Sequence, residues 1–458
     1  MRNALIALCL GLPILVGCGR EEAPDESLAY GIFAELLAIN TAPSGGPDLR
    51  PAVEALVARL RDGGFDDEDI FVLAQDENLP NLVVRLRSPD AEQRPVLMMA
   101  HLDVVEAKRE DWTVEPYALT EQDGYYYGRG ATDNKAGAAM LVANFIQLRR
   151  EGFEPNRDLI VMLTADEETT GAGADWLVTE HRDLVDADFA LNTDGGLVML
   201  RDGEPRAFIM QTSEKIYASF EMEALDPGGH SSLPRSDSAI SRLARFLVAL
   251  DEHRFPVDLN ETTRAFFSRW AEMAPLGERE LITSVLEDPD NVMLDEHPYY
   301  NALARTTCVA TMLEGGHAEN ALPQMARATV NCRILPQSSV AETVRVLESL
   351  AETEGLTVRQ VFDSRPSPPS PLRDDVIEPV AAVAAELWPG IQLIPEMSTG
   401  ATDGLFVRNA GIPVYGVSAI AEDPDDIRAH GQDERIRIES FRQATDYWYR
   451  LVKTLSSY

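Results

Sequence analysis

Six residues from Leu159 to Thr164, LIVMLT, are apolar or β-branched without interruption. A run this short and continuous predicts a strand buried on both faces, as in a parallel sheet. Asn81–Leu86, Val96–Ala100, Ala187–Asn192 and Ile412–Val417 read as further strands. Between them, apolar residues recur at helical spacing over Leu28–Ala38, Pro51–Gly63, Ala138–Leu148, Ala174–Glu180, Val376–Leu387 and Ile438–Thr454. Pro51 at a helix start and Gly63-Gly64 at its end are sensible boundary signals. The alternation of strands and helices predicts an α/β fold with a doubly wound, mostly parallel sheet.

The pattern changes near Gly203. Ala207–Glu223 and Ala326–Leu335 alternate as antiparallel strands do, with helical spacing at Ala239–Leu250 and Val340–Glu354. A smaller α+β domain spanning 205–363 is therefore expected as an insert in a main domain of 28–204 and 364–458. The Pro/Ser-rich stretch Ser364–Pro371 makes the return linker. Within the insert, His253–Thr307 carries helical patches in no clear frame, and the chain shows no internal repeat.

At the N-terminus, Arg2 precedes an apolar run from Ala4 to Gly17, too short to span a bilayer and sized like a signal peptide core. Residues 1–17 are read as that signal and 18–27 as a polar tether. Leu15-Val16-Gly17-Cys18 resembles a bacterial lipobox, which implies a lipid anchor on Cys18 and an exported lipoprotein on the periplasmic side of a bacterial envelope membrane. The alternative is an ordinary cleaved signal with an incidental cysteine.

Composition narrows the partners. The 458 residues carry a formal charge of −36, which argues against nucleic acid or an anionic membrane surface as a partner. Beyond Cys9 and Cys18 only Cys308 and Cys332 remain, too few for a disulfide framework. They either pair in an oxidising compartment or are ordinary buried thiols.

The chemistry gathers where the strands end. Leu159–Thr164 runs into Asp166, Glu167 and Glu168, Val96–Ala100 into His101, and Ala187–Asn192 into Asp194. Ligands of an open α/β sheet bind at such C-terminal strand ends. Carboxylates packed together repel one another, and a cation is the simple way to satisfy them. Asp133, in a glycine-rich loop, and His430 complete a set of five ligands. Imidazole and carboxylate without thiolate suit zinc, cobalt or manganese. Five ligands exceed what one catalytic zinc takes but serve two metals if a carboxylate bridges; two metals about 3.5–4 Å apart form a clamp for hydrolysis. Of Glu167 and Glu168, one can bind metal while the other takes a proton. His101 and Asp103 share one face of an extended segment, which allows Asp103 to accept the second imidazole N–H.

In order, His101-Leu102-Asp103-Val104-Val105, Gly128-Arg129-Gly130-Ala131-Thr132-Asp133-Asn134-Lys135, Asp166-Glu167-Glu168, Asp194-Gly195-Gly196 and His430-Gly431 resemble the signature of the di-zinc metallohydrolases. That family includes aminoacylases, glutamate carboxypeptidases, dipeptidases and succinyl-diaminopimelate desuccinylases. The resemblance runs from about Leu28 to the end. It implies that Asp133 bridges two Zn2+ (Co2+ or Mn2+ as substitutes), with His101 and Asp194 on one and Glu168 and His430 on the other. It also implies Glu167 as general base and acid, Asp103 as its supporting carboxylate, and a cis peptide after Asp133. Members often carry Asp or Met where this chain has Asn134. Within the insert, which the resemblance makes a lid or dimerisation domain, Gly228-Gly229-His230-Ser231-Ser232 resembles the segment whose histidine stabilises the oxyanion, often across a dimer interface. Asn320, Arg333 and the loop carrying Gly400 and Thr402 resemble elements that bind substrate.

The implied activity is a zinc carboxypeptidase or dipeptidase that cleaves the amide to an amino acid with a free carboxylate. An N-acyl-amino-acid amidohydrolase shares the same motifs. A non-catalytic surface binding protein is the reading from another class, and loss of a ligand or base would mark it, yet every position is filled.

Overall fold

The computed structural model describes residues 26–43, 48–290, 292 and 294–457. The leader, Cys18 and the first part of the tether lie outside those residues, and helix begins already at Glu26 within the span read as tether. The buried runs form the centre of a ten-stranded mixed sheet. Its strand order is Ile70–Leu73, Asn81–Leu86, Leu159–Thr164, Val96–His101, Phe189–Asn192, Val414–Gly416, Glu204–Glu214, Leu197–Arg201 and Ala421–Glu422, with Gln392–Ser398 alongside Glu204–Glu214. The four strands from Leu159–Thr164 to Val414–Gly416 run parallel. Asn81–Leu86 and Ile70–Leu73 close one edge antiparallel.

The continuous apolar runs have a direct cause. Met98 and Val161 enter a core under the helices Glu26–Ala38, Arg50–Asp62, Lys135–Glu151, Asp374–Leu387 and Ile438–Ser456. Their neighbours Leu97, Met99, Ile160 and Met162 enter a second core, on the opposite side, with Leu177, Val178 and Val407. Since both faces of the pleat are covered, every residue of Val96–His101 and Leu159–Thr164 is buried.

The second unit is a four-stranded antiparallel sheet, Thr307–Gly315, Met325–Ile334, Ile216–Leu225 and Thr357–Gln360. Ala326, Ala328, Val330, Cys332 and Ile334 pack beneath the helices Ala239–Glu252 and Val340–Glu352, and the intervening residues face away. Ser339 caps the second helix in a capping box with Glu342. Cys308 and Cys332, directly opposite on paired strands, form a disulfide. Among the described residues no helix is long and apolar enough to cross a membrane.

The expected boundary of the insert at 205 is not where the sheets divide. Glu204–Glu214 lies in the large sheet, and the chain passes to the small one at Lys215. The helices Glu261–Met273, Leu276–Glu287 and Pro298–Ala304 also leave the small sheet, burying Phe266, Phe267 and Ile282 against Ile209, Ile394 and Met397 of the large one. The alternation across Ala207–Glu223 hid the crossing because a strand that changes sheets keeps its period of two. Lys215 ties the two crossings together, its Nζ donating to the Arg305 carbonyl at 2.6 Å.

Candidate metal centre

Three parallel strands lie side by side and end together, so His101, the Asp166–Glu168 turn and Asp194 meet at one rim of the sheet. His101 is 1% exposed, and its Nδ1 sits 3.0 Å from the Asp103 carbonyl oxygen. Its Nε2 faces Asp133 Oδ1 at 2.8 Å and Asp194 Oδ2 at 4.0 Å. With the proton on Nδ1, Nε2 keeps a lone pair for a metal. Asp133 occupies the turn before Lys135–Glu151, and the Asp133–Asn134 peptide is cis. From the far side His430 Nε2 approaches Asp133 Oδ2 at 3.1 Å and Glu168 Oε2 at 3.0 Å.

Two triads result, His101–Asp133–Asp194 and Asp133–Glu168–His430, and the potential ligand atoms within each lie no more than 4.8 Å apart. Asp133 belongs to both, one oxygen toward each, as a bridging ligand requires.

The electrostatics call for positive charge. Burial, and then the Asp133 charge, push the Asp194 carboxyl up to about 8. Glu167 rises well above the usual carboxylate range through burial and then Asp194. Burial also works against the Asp133 charge, but hydrogen bonds from His101 and His430 prevail and hold its carboxyl below the usual range. Hydrogen bonds to Asp133 and then Glu168 lift His430 to about 10. Glu168 Oε1 is buried with no hydrogen-bond partner among the described residues. A buried carboxylate oxygen without a donor is costly. Divalent cations would satisfy that oxygen and the crowded carboxylates alike, so the donor set fits metal.

Asp103 does something other than expected. The imidazole proton lies closer to its backbone carbonyl, with the carboxylate Oδ1 at 3.5 Å from Nδ1. The carboxylate instead accepts the backbone N–H of Glu167 at 3.2 Å and of Glu168 at 3.0 Å, which fixes the turn that presents both. Asn134 belongs to neither triad, and its Oδ1 accepts from Thr193 Oγ1 at 2.6 Å.

The residue that sequence reasoning missed is Glu434. Fully buried, it accepts from Arg129 Nη1 at 2.6 Å, from the backbone amides of Gly130, Thr132 and Asp133, and from the Thr132 hydroxyl. Arg129 also donates to the Gly431 carbonyl at 2.9 Å, beside His430. One carboxylate thus joins the turn carrying Asp133 to the loop carrying His430. Glu434→Gln is expected to weaken the affinity for divalent metal, measured by chelator competition, about 10- to 100-fold, the usual cost of losing a group that orients ligands. Unchanged affinity would remove Glu434 from that role.

A cavity of about 950 Å³ opens over Asp133, Glu167, Glu168, Asp194 and His430. Its far wall comes from the small sheet and includes Tyr217 and Arg333. Arg333 lies 4.6 Å above the Tyr217 ring and forms no ion pair among the described residues, although the chain holds 76 acidic residues. Gly400 and Thr402 also line the cavity, with the Gly400 N–H and the Thr402 hydroxyl both engaged in hydrogen bonds. Gly400 N–H donates to Ser398 Oγ, while Thr402 Oγ1 donates to Glu214 and accepts from Gly404 N–H. These bonds shape the loop that the resemblance implied would face the substrate.

His230 and Asn320 stand apart from the cavity. The exposed pair Gly229–His230 is bonded to Ala321–Leu322, Ser231 N–H donates to the Asn320 carbonyl, and neither His230 nor Asn320 lines the cavity. Within one chain the oxyanion role expected of His230, and the substrate role expected of Asn320, are not met.

Residues 97–454 match Peptidase family M20/M25/M40. The chain is 26% identical over 381 residues to N-fatty-acyl-amino acid synthase/hydrolase PM20D1 of Homo sapiens, covering 80% of this chain and 75% of that protein. It is 26% identical over 443 residues to Aminoacylase-1A of Rattus norvegicus, covering 94% and 96%. Among solved structures it resembles the M20 family metallo-carboxypeptidase Sso-CP2 from Sulfolobus solfataricus, with a TM-score of 0.71 at 18% identity, covering 94% of this chain and 99% of that one. Human carnosine dipeptidase 1 gives a TM-score of 0.67 at 17% identity, covering 93% and 95%. Both structural likenesses bear on the fold.

Proposed function

The chain belongs to Peptidase family M20/M25/M40, and on that premise we propose a carboxypeptidase or dipeptidase using two zinc ions, held by His101, Asp133, Asp194, Glu168 and His430. That it is a metal-dependent hydrolase of peptide or N-acyl amide bonds follows from the family itself. When bound, the metals lower the pKa of water and polarise the scissile carbonyl. The observation that carries the substrate assignment is Arg333, a cation in the wall of the cavity with no ion-pair partner among the described residues. Its planar fork suits the free carboxylate of the substrate's terminal residue. Glu167 takes the proton of the attacking water and later gives it to the leaving amine. Asp103, through the backbone amide of Glu167, keeps that carboxylate in place.

An N-acyl-amino-acid amidohydrolase is the second reading, favoured by the aromatic lining of the cavity, Tyr217, Phe362 and Phe406. In a homodimer, His230 would reach the oxyanion of the partner's site. The exposed edge strand Thr307–Gly315, with Val309, Met312 and Leu313 out in solvent, supports such pairing. We further place the protein outside the cytoplasm, anchored by lipid on Cys18; the disulfide of Cys308 and Cys332 supports an oxidising compartment.

Metal content by mass spectrometry, measured beside hydrolysis of blocked dipeptides and of N-acetyl and long-chain N-acyl amino acids, tests the reading. About two zinc per chain with turnover is the expected result. One metal or none, and no turnover after zinc or cobalt is added back, would leave a non-catalytic surface binding protein.

A further inference from the structure

Two neighbouring strands of the small sheet, and the bend that follows a third, bring Arg333, Tyr217 and Phe362 into one row. Tyr217 and Arg333 are direct cross-strand partners. Just past Thr357–Gln360 the chain bends, with Val361 N–H donating to the Ser219 carbonyl at 2.8 Å, and Phe362 in that bend comes against Tyr217. The two rings stack with centroids 5.7 Å apart and 12° between planes, while the Arg333 guanidinium covers Tyr217.

The row is out of character with the face that carries it. Along Ile216–Leu225 the next three residues on that face after Tyr217 are Ser219, Glu221 and Glu223, and their partners beside Arg333 are Asn331, Thr329 and Arg327. Apart from Leu225 and Met325 at the far end, the apolar residues of these two strands turn to the opposite face, beneath the helices. Tyr217 is nevertheless 42% exposed and Phe362 43% exposed, and both line the cavity over the metal centre. Two large rings left open to a cleft forgo burial that a ligand can supply. Aromatic groups are a compact means of doing so, since ring pairs gain beyond their area.

We propose that Tyr217 and Phe362 form the subsite for an aromatic or bulky apolar side chain on the residue whose carboxylate Arg333 holds, so that this residue is the selected part of the substrate. The inference rests on the proposed grip of Arg333. With the carboxylate on the guanidinium, the side chain on the same α-carbon is the substrate group nearest the next members of the row. Phenylalanine, tyrosine or tryptophan covers the rings; alanine leaves them wet, and the carboxylate of aspartate or glutamate gains nothing from two ring faces.

The test compares kcat/KM on pairs differing only in that side chain, N-acetyl-L-phenylalanine against N-acetyl-L-alanine and the matching dipeptides. The native protein should favour phenylalanine about tenfold or more, the yield of one aromatic contact of about 1.4 kcal/mol. Phe362→Ala should bring the ratio toward one, chiefly through KM, and Phe362→Leu, which keeps the bulk, should restore part of it. A ratio that Phe362→Ala leaves unchanged overturns the subsite. So does a preference that follows acyl length on a fixed alanine and disappears in the same variant, because the row then serves the acyl group. Product binding separates this inference from the reading beneath it. Calorimetry on zinc-loaded protein should show L-phenylalanine binding more tightly than L-alanine, even if every amide in the panel resists hydrolysis. Equal affinities for the two products overturn the subsite whatever the catalytic result.

Discussion

Asp133→Asn is expected to leave the protein unable to hold a metal pair. The native carboxylate directs Oδ1 toward His101 and Oδ2 toward His430, and so takes part in both triads. An amide offers one oxygen of reduced basicity and turns an NH2 group toward whichever site loses it. The crowd of Glu168, Asp194 and Glu167 then keeps its own repulsion without the shared anion that lets two cations sit close together. Removing one member of a buried charge pair costs about 3–5 kcal/mol, equivalent to roughly 150- to 4,000-fold in affinity. Two readouts follow, metal stoichiometry after dialysis and the rise in Tm on adding zinc. Zinc at about 100 times its Kd should stabilise the native protein by about 2.7 kcal/mol. The variant should show little of that rise and should retain less than one metal. A variant that still carries two metals and the full zinc-dependent rise would sink the bridging role.

The parts of this centre visible in the sequence share one property, that their environment is local. His101, Glu168 and Asp194 follow strands whose burial on both faces is written as unbroken apolar runs, and the ends of parallel strands are where ligands gather. The hidden parts depend on contacts distant along the chain. Glu434 is one of 76 acidic residues, and its burial becomes evident only when Arg129, 305 residues earlier, comes to meet it. The helical patches within His253–Thr307 gave no frame, because Ile394 and Met397 of the large sheet, distant along the chain, are what Phe266 and Phe267 pack against. The segment around His230 was legible as a motif, yet a motif carries no distance, and the fold sets it outside the cavity of its own chain. The cysteine pair likewise remained open until two strands brought residues 308 and 332 opposite one another.

Glu167→Gln separates chemistry from metal binding, because Glu167 faces the cavity but belongs to neither triad. Its neighbour Glu168 also faces the cavity but belongs to one triad. Glu168 contacts His430 at 3.0 Å, and its other oxygen is buried without a partner. Glutamine at 167 keeps the volume of the side chain and the backbone N–H that Asp103 holds. What it loses is the capacity to accept a proton from water and return it to an amine. Positioned acid–base groups contribute about 10²- to 10⁴-fold, so kcat should fall by that factor while KM and the metal content remain close to native. Glu168→Gln should do the reverse, reducing metal retention before anything else. Full activity of Glu167→Gln in a preparation free of native enzyme would remove it as the base. Loss of metal with the activity would instead make it a ligand, and the two adjacent glutamates would exchange roles.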